Sequence, residues 1–404
     1  MGLRKWAANN LKGDIYIWVV VCMLSLFGVL AVYSSTGTLA YAKQSGNTEF
    51  YLIKQGGMLL LGLFIMWLSH LLDYRYYSRL SQILLIIAIP LLFYTLVFGS
   101  NVNDARRWIT LPLIGLSFQT SDLAKLAIIM YIARFLSKRQ DEIDNSKKTL
   151  WPIVASIILI CGLIAPANLS TALVLFMTCM VLLFIGRIPI KSLLGLTGLA
   201  VVFFGIMLAV IMNLPGQGRV QTWKARIESF RESFKESSDK KDTGGSYQNQ
   251  QAKIAIAKGG IFGVGPGKST QRNFLPSPYA DFIFAIILEE YGMIGGLFLI
   301  FLYIFFLFRC IRIVIKSPKA FGALLAVGLA FSLVIQAFIN MGVAVNIFPV
   351  TGLPLPLVSM GGTSTLFTSL AFGIILSVSK HIEGDDKEET EEQEPEEEVQ
   401  VETA

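Results

Sequence analysis

The chain has 404 residues, of which 54% are apolar and only 15% are charged. Soluble domains carry about a quarter of charged residues, so this composition excludes an ordinary water-soluble enzyme. The net charge of +6 averages two unlike parts, because residues 383–404 hold 12 acidic residues against one lysine. Two histidines are too few for a histidine-ligated metal site, and the four cysteines lie in apolar runs without CxxC spacing.

Long apolar runs dominate the chain from its first segment to residue 379. A membrane-spanning helix needs about 20 mostly apolar residues, and these runs are too continuous for the alternating strands of a membrane barrel. We therefore predict an all-α polytopic membrane protein with ten transmembrane helices and a large external loop between helices 7 and 8. The ten predicted spans cover residues 15–34, 55–72, 80–99, 121–137, 150–166, 169–186, 190–212, 282–310, 321–343 and 361–379.

Lysine and arginine in the short connections predict the orientation. With ten spans, 17 basic residues fall at one membrane face, and the opposite short loops hold only Lys43, Lys54, Arg106 and Arg107. Both termini are then cytoplasmic, and the long loop faces outward.

Three regions follow from this topology. Residues 1–382 form the membrane domain, and residues 213–280 form its external loop. Within the loop, Trp223, Ile227, Phe230 and Phe234 recur at helical spacing and predict an amphipathic helix. Residues 383–404 form a cytoplasmic tail whose like charges repel one another, so we expect disorder there.

A few ionisable side chains lie inside or beside the predicted spans, where charge is costly and usually marks a site or pathway. Lys125 lies one turn into the fourth span, Asp281 opens the eighth, and Glu289 and Glu290 follow it. A structural ion pair is the alternative for Glu290, and a helix N-cap is the alternative for Asp281.

Two adjacent arginines, Arg106 and Arg107, lie on the external face, which otherwise has few basic residues in its short loops. Guanidinium groups suit bidentate phosphate binding. The alternative is that both only contact lipid headgroups.

Several motifs occur in one order along nearly the whole chain and resemble those of the SEDS family of membrane peptidoglycan polymerases, which includes FtsW and RodA. The resemblance covers roughly residues 10–380. Its motifs are NDARRWI at 103–109, QTSDLAK at 119–125, PANLSTA at 166–172, RIESF at 226–230, LPSPYADFIFAIILEE at 275–290 and FPVTGLPLPLVSMGGTS at 348–364.

The resemblance implies a ten-helix glycosyltransferase that polymerises lipid II into glycan strands at the outer face of the cytoplasmic membrane. The family's essential aspartate corresponds to Asp281, which we assign as the general base in an inverting reaction. Residues expected to bind the substrate or its departing pyrophosphate are Lys125, Arg106, Arg226, Gln119, Asn168, Glu290 and Ser359. No cofactor is established, although a divalent cation, Mg²⁺ or Mn²⁺, could share the neutralisation of pyrophosphate.

The chain departs from the family pattern at Asn168, where the family usually has an aspartate. Lys125 must therefore find another counter-charge, such as Glu290 or Asp122, or rely on the phosphate of the substrate. Asn273 also replaces a carboxylate common in the large loop, which weakens a two-carboxylate metal site.

The expected partners are lipid II, the growing glycan strand, a class B penicillin-binding protein transpeptidase and other divisome or elongasome membrane proteins. No nucleic-acid binding is expected. The acidic tail favours a division role over elongation. Two other functions remain as alternatives, a lipid II transporter or flippase and an inactive divisome scaffold. A transporter predicts a site near the membrane midplane, whereas the matched residues cluster at the external ends of helices.

Overall fold

The computed structural model describes residues 11–37, 39, 47–102, 105–110, 117–140, 146–213, 219–232 and 244–402. The helices within these ranges are α1 (Ile15–Ser35), α2 (Thr48–Leu71), α3 (Tyr74–Phe98), α4 (Thr120–Lys138), α5 (Ser146–Ile164), α6 (Leu169–Ile185), α7 (Ile190–Asn213), α8 (Arg219–Glu232), α9 (Gly244–Gly259), α10 (Ile283–Lys316), α11 (Ala320–Ala344) and α12 (Thr363–Glu402). Three short strands, β1 (Ser100–Val102), β2 (Ala105–Thr110) and β3 (Ser117–Gln119), connect α3 to α4.

The predicted polytopic helical architecture is confirmed. Six helical segments of the described chain are long and apolar enough to cross a membrane, namely α1, α2, α3, α10, α11 and residues 363–382 of α12. Shorter apolar segments lie in α5, α6 and α7. Helix α4 matches the predicted fourth span but carries Asp122, Lys125 and Arg134. The count of ten spans stays a prediction.

The centre of the bundle is formed by α4 and α11, whose side chains are buried around most of their circumference. Small residues permit this close packing: a Cβ on Gly328 of α11 would lie 2.8 Å from a side-chain carbon of Ile129 on α4. Helices α2 and α3 instead expose leucine and isoleucine side chains, as lipid-facing helices do. The buried polar side chains Asp122, Gln336 and Asn340 therefore lie on a closely packed pair of helices.

A small antiparallel sheet, in the order β1-β2-β3, departs from the all-helical prediction. Strand β2 pairs on both sides, placing Trp108 opposite Gln119 of β3 and Arg106 opposite Asn101 of β1. Six residues are too few for a reliable periodicity, although aromatic and β-branched residues such as Trp108 and Ile109 favour strands. The sheet fixes the arginine pair at the N-terminal end of α4.

The loop and the tail contain more helix than the sequence indicated. Helix α8 carries Trp223, Ile227 and Phe230 of the predicted amphipathic helix, whereas Phe234 lies outside the described residues. Helix α9 was not predicted. The expected disorder of residues 383–404 differs from the structure, where α12 continues to Glu402. Glutamate is a strong helix former, so this tail can extend the helix of the preceding span.

Helix α10 is interrupted at Gly292, whose backbone (φ 66°, ψ −167°) lies in a region that glycine alone adopts readily. The loop after α9 packs against this break. Its residues Val264 and Gly265 donate backbone hydrogen bonds to the carbonyls of Glu289 and Glu290 at 2.9 and 3.0 Å. Gly260 accepts one from Met293 at 2.9 Å. The external loop thus satisfies backbone groups that the interrupted helix leaves open.

Candidate active site

Asp281 lies immediately before α10, on a backbone segment held by side chains from other elements. The carbonyl of Asp281 accepts a hydrogen bond from Asn340 Nδ2 of α11 at 3.0 Å, and the Ala280 carbonyl accepts one from Ser359 Oγ at 2.7 Å. The N-cap of α10 is Phe282, and no side chain caps that helix end. Asp281 is therefore not the helix cap considered as its alternative, and its carboxylate remains available for another role.

Burial and two arginines set the charge state of Asp281. Burial raises the pKa of this carboxyl above its ordinary value, while Arg226 of α8 and Arg107 of β2 act in the opposite direction. Burial also lowers the pKa of the Arg226 guanidinium, which Asp281 partly offsets. A carboxylate whose pKa is raised toward the working pH is a better proton acceptor than an ordinary aspartate. The structure thus brings together one basic carboxylate and two cations from three separate elements.

Lys125 lies in a cleft of about 380 Å³ between α4, α11 and α12. Its Nζ is 2.8 Å from Asp122 Oδ1, one turn earlier on α4, and 3.2 Å from Gln336 Oε1 of α11. Gln336 in turn donates to the carbonyl of Pro354 at 2.8 Å. Asp122 is thus the counter-charge that the asparagine at position 168 does not provide.

A second cleft, of about 260 Å³, brings Arg106 and Arg107 close to Asn168. Arg106 Nη1 donates to the Val97 carbonyl, and Asn168 caps α6 by accepting from the Thr171 amide at 3.3 Å. Gln119 precedes α4 and donates from Nε2 to Ser121 Oγ at 2.8 Å. These polar groups line the N-terminal end of α4, on the side that also carries Arg107 toward Asp281.

Glu290 is placed elsewhere, in contact with the external loop. Its Oε1 accepts from Ser34 Oγ of α1 and from the Ser269 amide at 3.3 Å. The contacts described for Lys125 involve Asp122 and Gln336, so the proposed pairing of Glu290 with that lysine is not formed. The contacts described for Glu290 are hydrogen bonds that connect α10 to α1 and to the loop, and the structural ion pair considered as its alternative is not among them.

Glu289 binds the same loop through a larger set of contacts. Its carboxylate accepts from the amides of Thr270 and Gln271, at 3.1 and 3.2 Å, and from the hydroxyls of Ser269 and Thr270. Lys258 Nζ lies 3.8 Å away. Glu289 of α10 therefore holds residues 269–271 of the loop in place. This segment begins twelve residues before Asp281 in the chain.

Ser359 uses its hydroxyl on the backbone: it accepts from the Leu355 amide at 2.8 Å while donating to Ala280. Gln336 and Asn340 connect α11 to the Lys125 cleft and to the Asp281 segment, and neither was predicted as a site residue. Two amide side chains one turn apart in a predominantly apolar span were the signal that could have identified them. Arg107 was noted but not assigned to the site.

The described residues do not form an all-protein metal site. No group of three or more His, Cys, Asp or Glu side chains in the described part of the chain is arranged to hold one. The carboxylate that is present, Asp281, is already flanked by the positive charges of Arg226 and Arg107, which oppose the approach of a divalent cation.

Comparison with known proteins gives concordant matches over most of the chain. A family model described as "Cell cycle protein" (FtsW/RodA/SpoVE) matches residues 14–384. Stage V sporulation protein E of Bacillus subtilis is 33% identical over 91% of this chain and 97% of its own length. A probable peptidoglycan glycosyltransferase FtsW of Coxiella burnetii is 33% identical over 91% of this chain and 96% of its own.

Solved structures agree with these sequence relatives. The rod shape determining protein RodA of Thermus thermophilus superposes with a TM-score of 0.65 at 26% identity, covering 92% of this chain and 98% of RodA. A chain from a structure concerning polymerization and crosslinking by a peptidoglycan synthase complex gives a TM-score of 0.70 at 26% identity, covering 92% of this chain and 98% of that one. The resemblance found in the sequence motifs is thereby confirmed. The chain belongs to the FtsW/RodA/SpoVE family of cell cycle proteins.

Proposed function

We propose that the protein is a peptidoglycan glycosyltransferase that polymerises lipid II into glycan strands. The observation that carries this proposal is the carboxylate of Asp281, which is made more basic by burial and lies beside two guanidinium groups. A proton acceptor next to positive charge is what transfer of a sugar from a pyrophosphate leaving group requires. Relatives named as probable peptidoglycan glycosyltransferases support the same function.

The reaction follows from these groups. Asp281 takes the proton of the acceptor sugar's 4-hydroxyl, whose oxygen attacks the anomeric carbon of the chain attached to undecaprenyl pyrophosphate. The bond from that carbon to the pyrophosphate oxygen breaks, so the α-linked donor gives a β-1,4 product by inversion. Arg107 and Arg226 stabilise the departing pyrophosphate, with Arg106 of β2 and Lys125 of α4 as further candidate cations.

The membrane orientation belongs to the same proposal. We place Asp281 and the loop of residues 213–280 on the outer face of a bacterial cytoplasmic membrane, with both ends of the chain in the cytoplasm. The distribution of basic residues in the short connections supports this orientation. The acidic segment of α12 then lies on the face opposite the chemistry, where it can contact other assembly proteins.

The proposed partner is a class B penicillin-binding protein, a transpeptidase that crosslinks the new strands within a divisome or elongasome. The structural relative from a peptidoglycan synthase complex supports such an assembly. The acidic cytoplasmic tail favours division as the setting.

A lipid II flippase is the competing function. Such a transporter would carry its site near the membrane midplane, whereas Asp281, Arg226 and Arg107 lie outside the candidate spans. The arrangement therefore favours chemistry at the membrane surface.

The test is polymerisation of lipid II by the full chain with its transpeptidase partner in proteoliposomes. We expect Asp281→Asn to abolish polymer formation with unchanged thermal stability, and the matched control Glu228→Gln on α8 to remain active. Unimpaired polymerisation by Asp281→Asn would refute the assignment. Movement of fluorescent lipid II between leaflets by the intact chain, without polymer, would establish the flippase instead.

A further inference from the structure

The turn after α9 exposes two large apolar side chains, Ile261 and Phe262, which we call the apolar tip. They are 60% and 80% exposed, although the sequence places them in the external loop. On the adjoining part of α10, the side chains of Met293, Ile294 and Leu297 are 56%, 53% and 57% exposed. The Ile294 amide donates to the Ile261 carbonyl at 3.3 Å, so the turn and the helix lie side by side here. Exposed apolar side chains clustered in this way mark a contact with lipid or with another protein.

The position of this turn is fixed by the helix beside it. A Cβ on Gly259 would collide with the carbonyl oxygen of Leu288, and a Cβ on Gly263 would collide with that of Glu290. The two backbones are therefore in direct contact, and the hydrogen bonds at the interruption of α10 connect them as well. Because the turn cannot move without breaking these contacts, the apolar tip stays where α10 places it.

Contacts between α1 and α10 give the depth of the turn in the membrane. At one end of the two helices, Arg309 Nη2 lies 2.6 Å from Asp14 Oδ2, and at the other end Ser34 Oγ donates to Glu290. The 20 residues from Asp14 to Ser34 correspond to about 30 Å of helix, which is the thickness of the hydrocarbon core. Glu290 therefore lies near the hydrocarbon boundary on the side of the proposed active site. The turn packs against α10 between this residue and Met293, so the apolar tip reaches the acyl chains.

Three lysines lie close to the apolar tip in the chain. Lys253 and Lys258 precede it on α9, Lys268 follows it, and all three are exposed. The Lys258 ammonium donates to Thr270 Oγ1 at 2.6 Å. Segments that lie at a membrane surface combine apolar side chains, which enter the acyl region, with lysines, which extend to the headgroups. The phosphate groups of phospholipids complement these charges, and their acyl chains complement the apolar tip.

We propose that the apolar tip inserts into the acyl chains of the leaflet on the active-site side, and that Lys268 contacts the phosphate groups of its lipids. The turn is then a membrane anchor within a loop that the sequence analysis placed outside the membrane. This inference goes beyond the proposed glycosyltransferase activity and requires no substrate. Its consequence is that the lipid surface sets the height of the loop that leads to Asp281.

The test is photo-crosslinking of the purified full chain in vesicles that contain equal amounts of phosphatidylglycerol and phosphatidylcholine. The photoreactive analogue p-benzoylphenylalanine replaces Phe262 in the test variant, which keeps an aromatic ring at this exposed position. It replaces Gln250 in the control, an exposed residue of α9 that lies nine residues before the end of this helix, about 14 Å along its axis. Adducts are identified from the mass of the intact protein, and unchanged thermal stability shows that both variants are folded.

We expect phospholipid adducts predominantly in the Phe262 variant, with phosphatidylglycerol in excess over phosphatidylcholine. The added substitution Lys268→Gln should lower this excess about fivefold, which is the contribution of one lysine at an anionic surface. The added substitution Lys319→Gln, at an exposed lysine before α11 on the opposite membrane face, should leave the excess unchanged.

The contrary results are equally distinct. Equal phospholipid adducts at the two positions, or none at position 262, would overturn the anchor. A crosslinked dimer formed from position 262 in place of lipid adducts would also overturn it, and would assign the apolar tip to a contact between two copies of the chain. An excess of phosphatidylglycerol that persists in Lys268→Gln would overturn the contact of this lysine with phosphate. Because none of these measurements involves polymerisation, the anchor and the proposed function are tested separately.

Discussion

Replacing Glu289 by glutamine should release the external loop from α10 while leaving the bundle folded. The carboxylate is 0% exposed and accepts hydrogen bonds from two amides and two hydroxyls of residues 269–271. Glutamine retains one acceptor oxygen but loses the charge and the second oxygen. Hydrogen bonds to a charged group contribute about 1.5 to 3 kcal/mol each, so losing the equivalent of two costs about 3 kcal/mol of local stability.

Hydrogen exchange of the Thr270 and Gln271 amides measures this loss directly, because both amides donate to Glu289. A decrease of about 3 kcal/mol in the free energy of local opening makes exchange about 150-fold faster. The matched control is Lys253→Gln, an exposed lysine on the same helix α9. Equal exchange in the two variants would refute the role of Glu289 in holding the loop.

Three further predictions concern the site. Arg226→Gln removes a cation that lowers the pKa of Asp281, so the pKa of this carboxyl should rise. Because the base acts only when it is ionised, the acidic limb of the pH dependence of kcat/KM should move to higher pH. The control Arg231→Gln should leave that limb in place, and no shift in Arg226→Gln would contradict the coupling. A double-mutant cycle of unfolding stability with Asp122→Asn and Lys125→Gln should show a coupling energy of at least about 1 kcal/mol, since their contact is 2.8 Å long and largely buried. Additive effects of the two substitutions would contradict a stabilising interaction between Asp122 and Lys125. Ser359→Ala should cost about 1 to 3 kcal/mol of unfolding stability and lower kcat, because the buried Leu355 amide and the Ala280 carbonyl both lose a partner. Wild-type turnover and stability in this variant would show that its hydroxyl does not position the Asp281 segment.

The helices could be predicted from the sequence because a long apolar run has few alternatives in a membrane. The sheet could not, since β2 depends on pairing with both β1 and β3, contacts that no local pattern records. The acidic tail is a related case, because like charges favour disorder whereas a helix already formed by the preceding span favours its own continuation, as in α12.

In the site too, contacts between residues close in the chain could be predicted, whereas contacts between distant residues could not. The counter-charge of Lys125 could have been decided from spacing, because Asp122 is three residues earlier on the same helix face. Glu290 was a weaker choice, since it belongs to a different helix. In contrast, the convergence of Arg107 and Arg226 on Asp281 joins three elements distant in the chain. Motif resemblance could identify those residues but not the electrostatic relation among them.

The interruption of α10 at Gly292 has a consequence for how the protein is made. The groups that complete the broken helix, at Gly260, Val264 and Gly265, are synthesised before α10 itself. In the orientation proposed above, this loop crosses the membrane before α10 is inserted, so the partners of the open backbone groups are present when the helix arrives. The order of these segments along the chain therefore fits an assembly in which the loop is in place before the span whose backbone groups it satisfies.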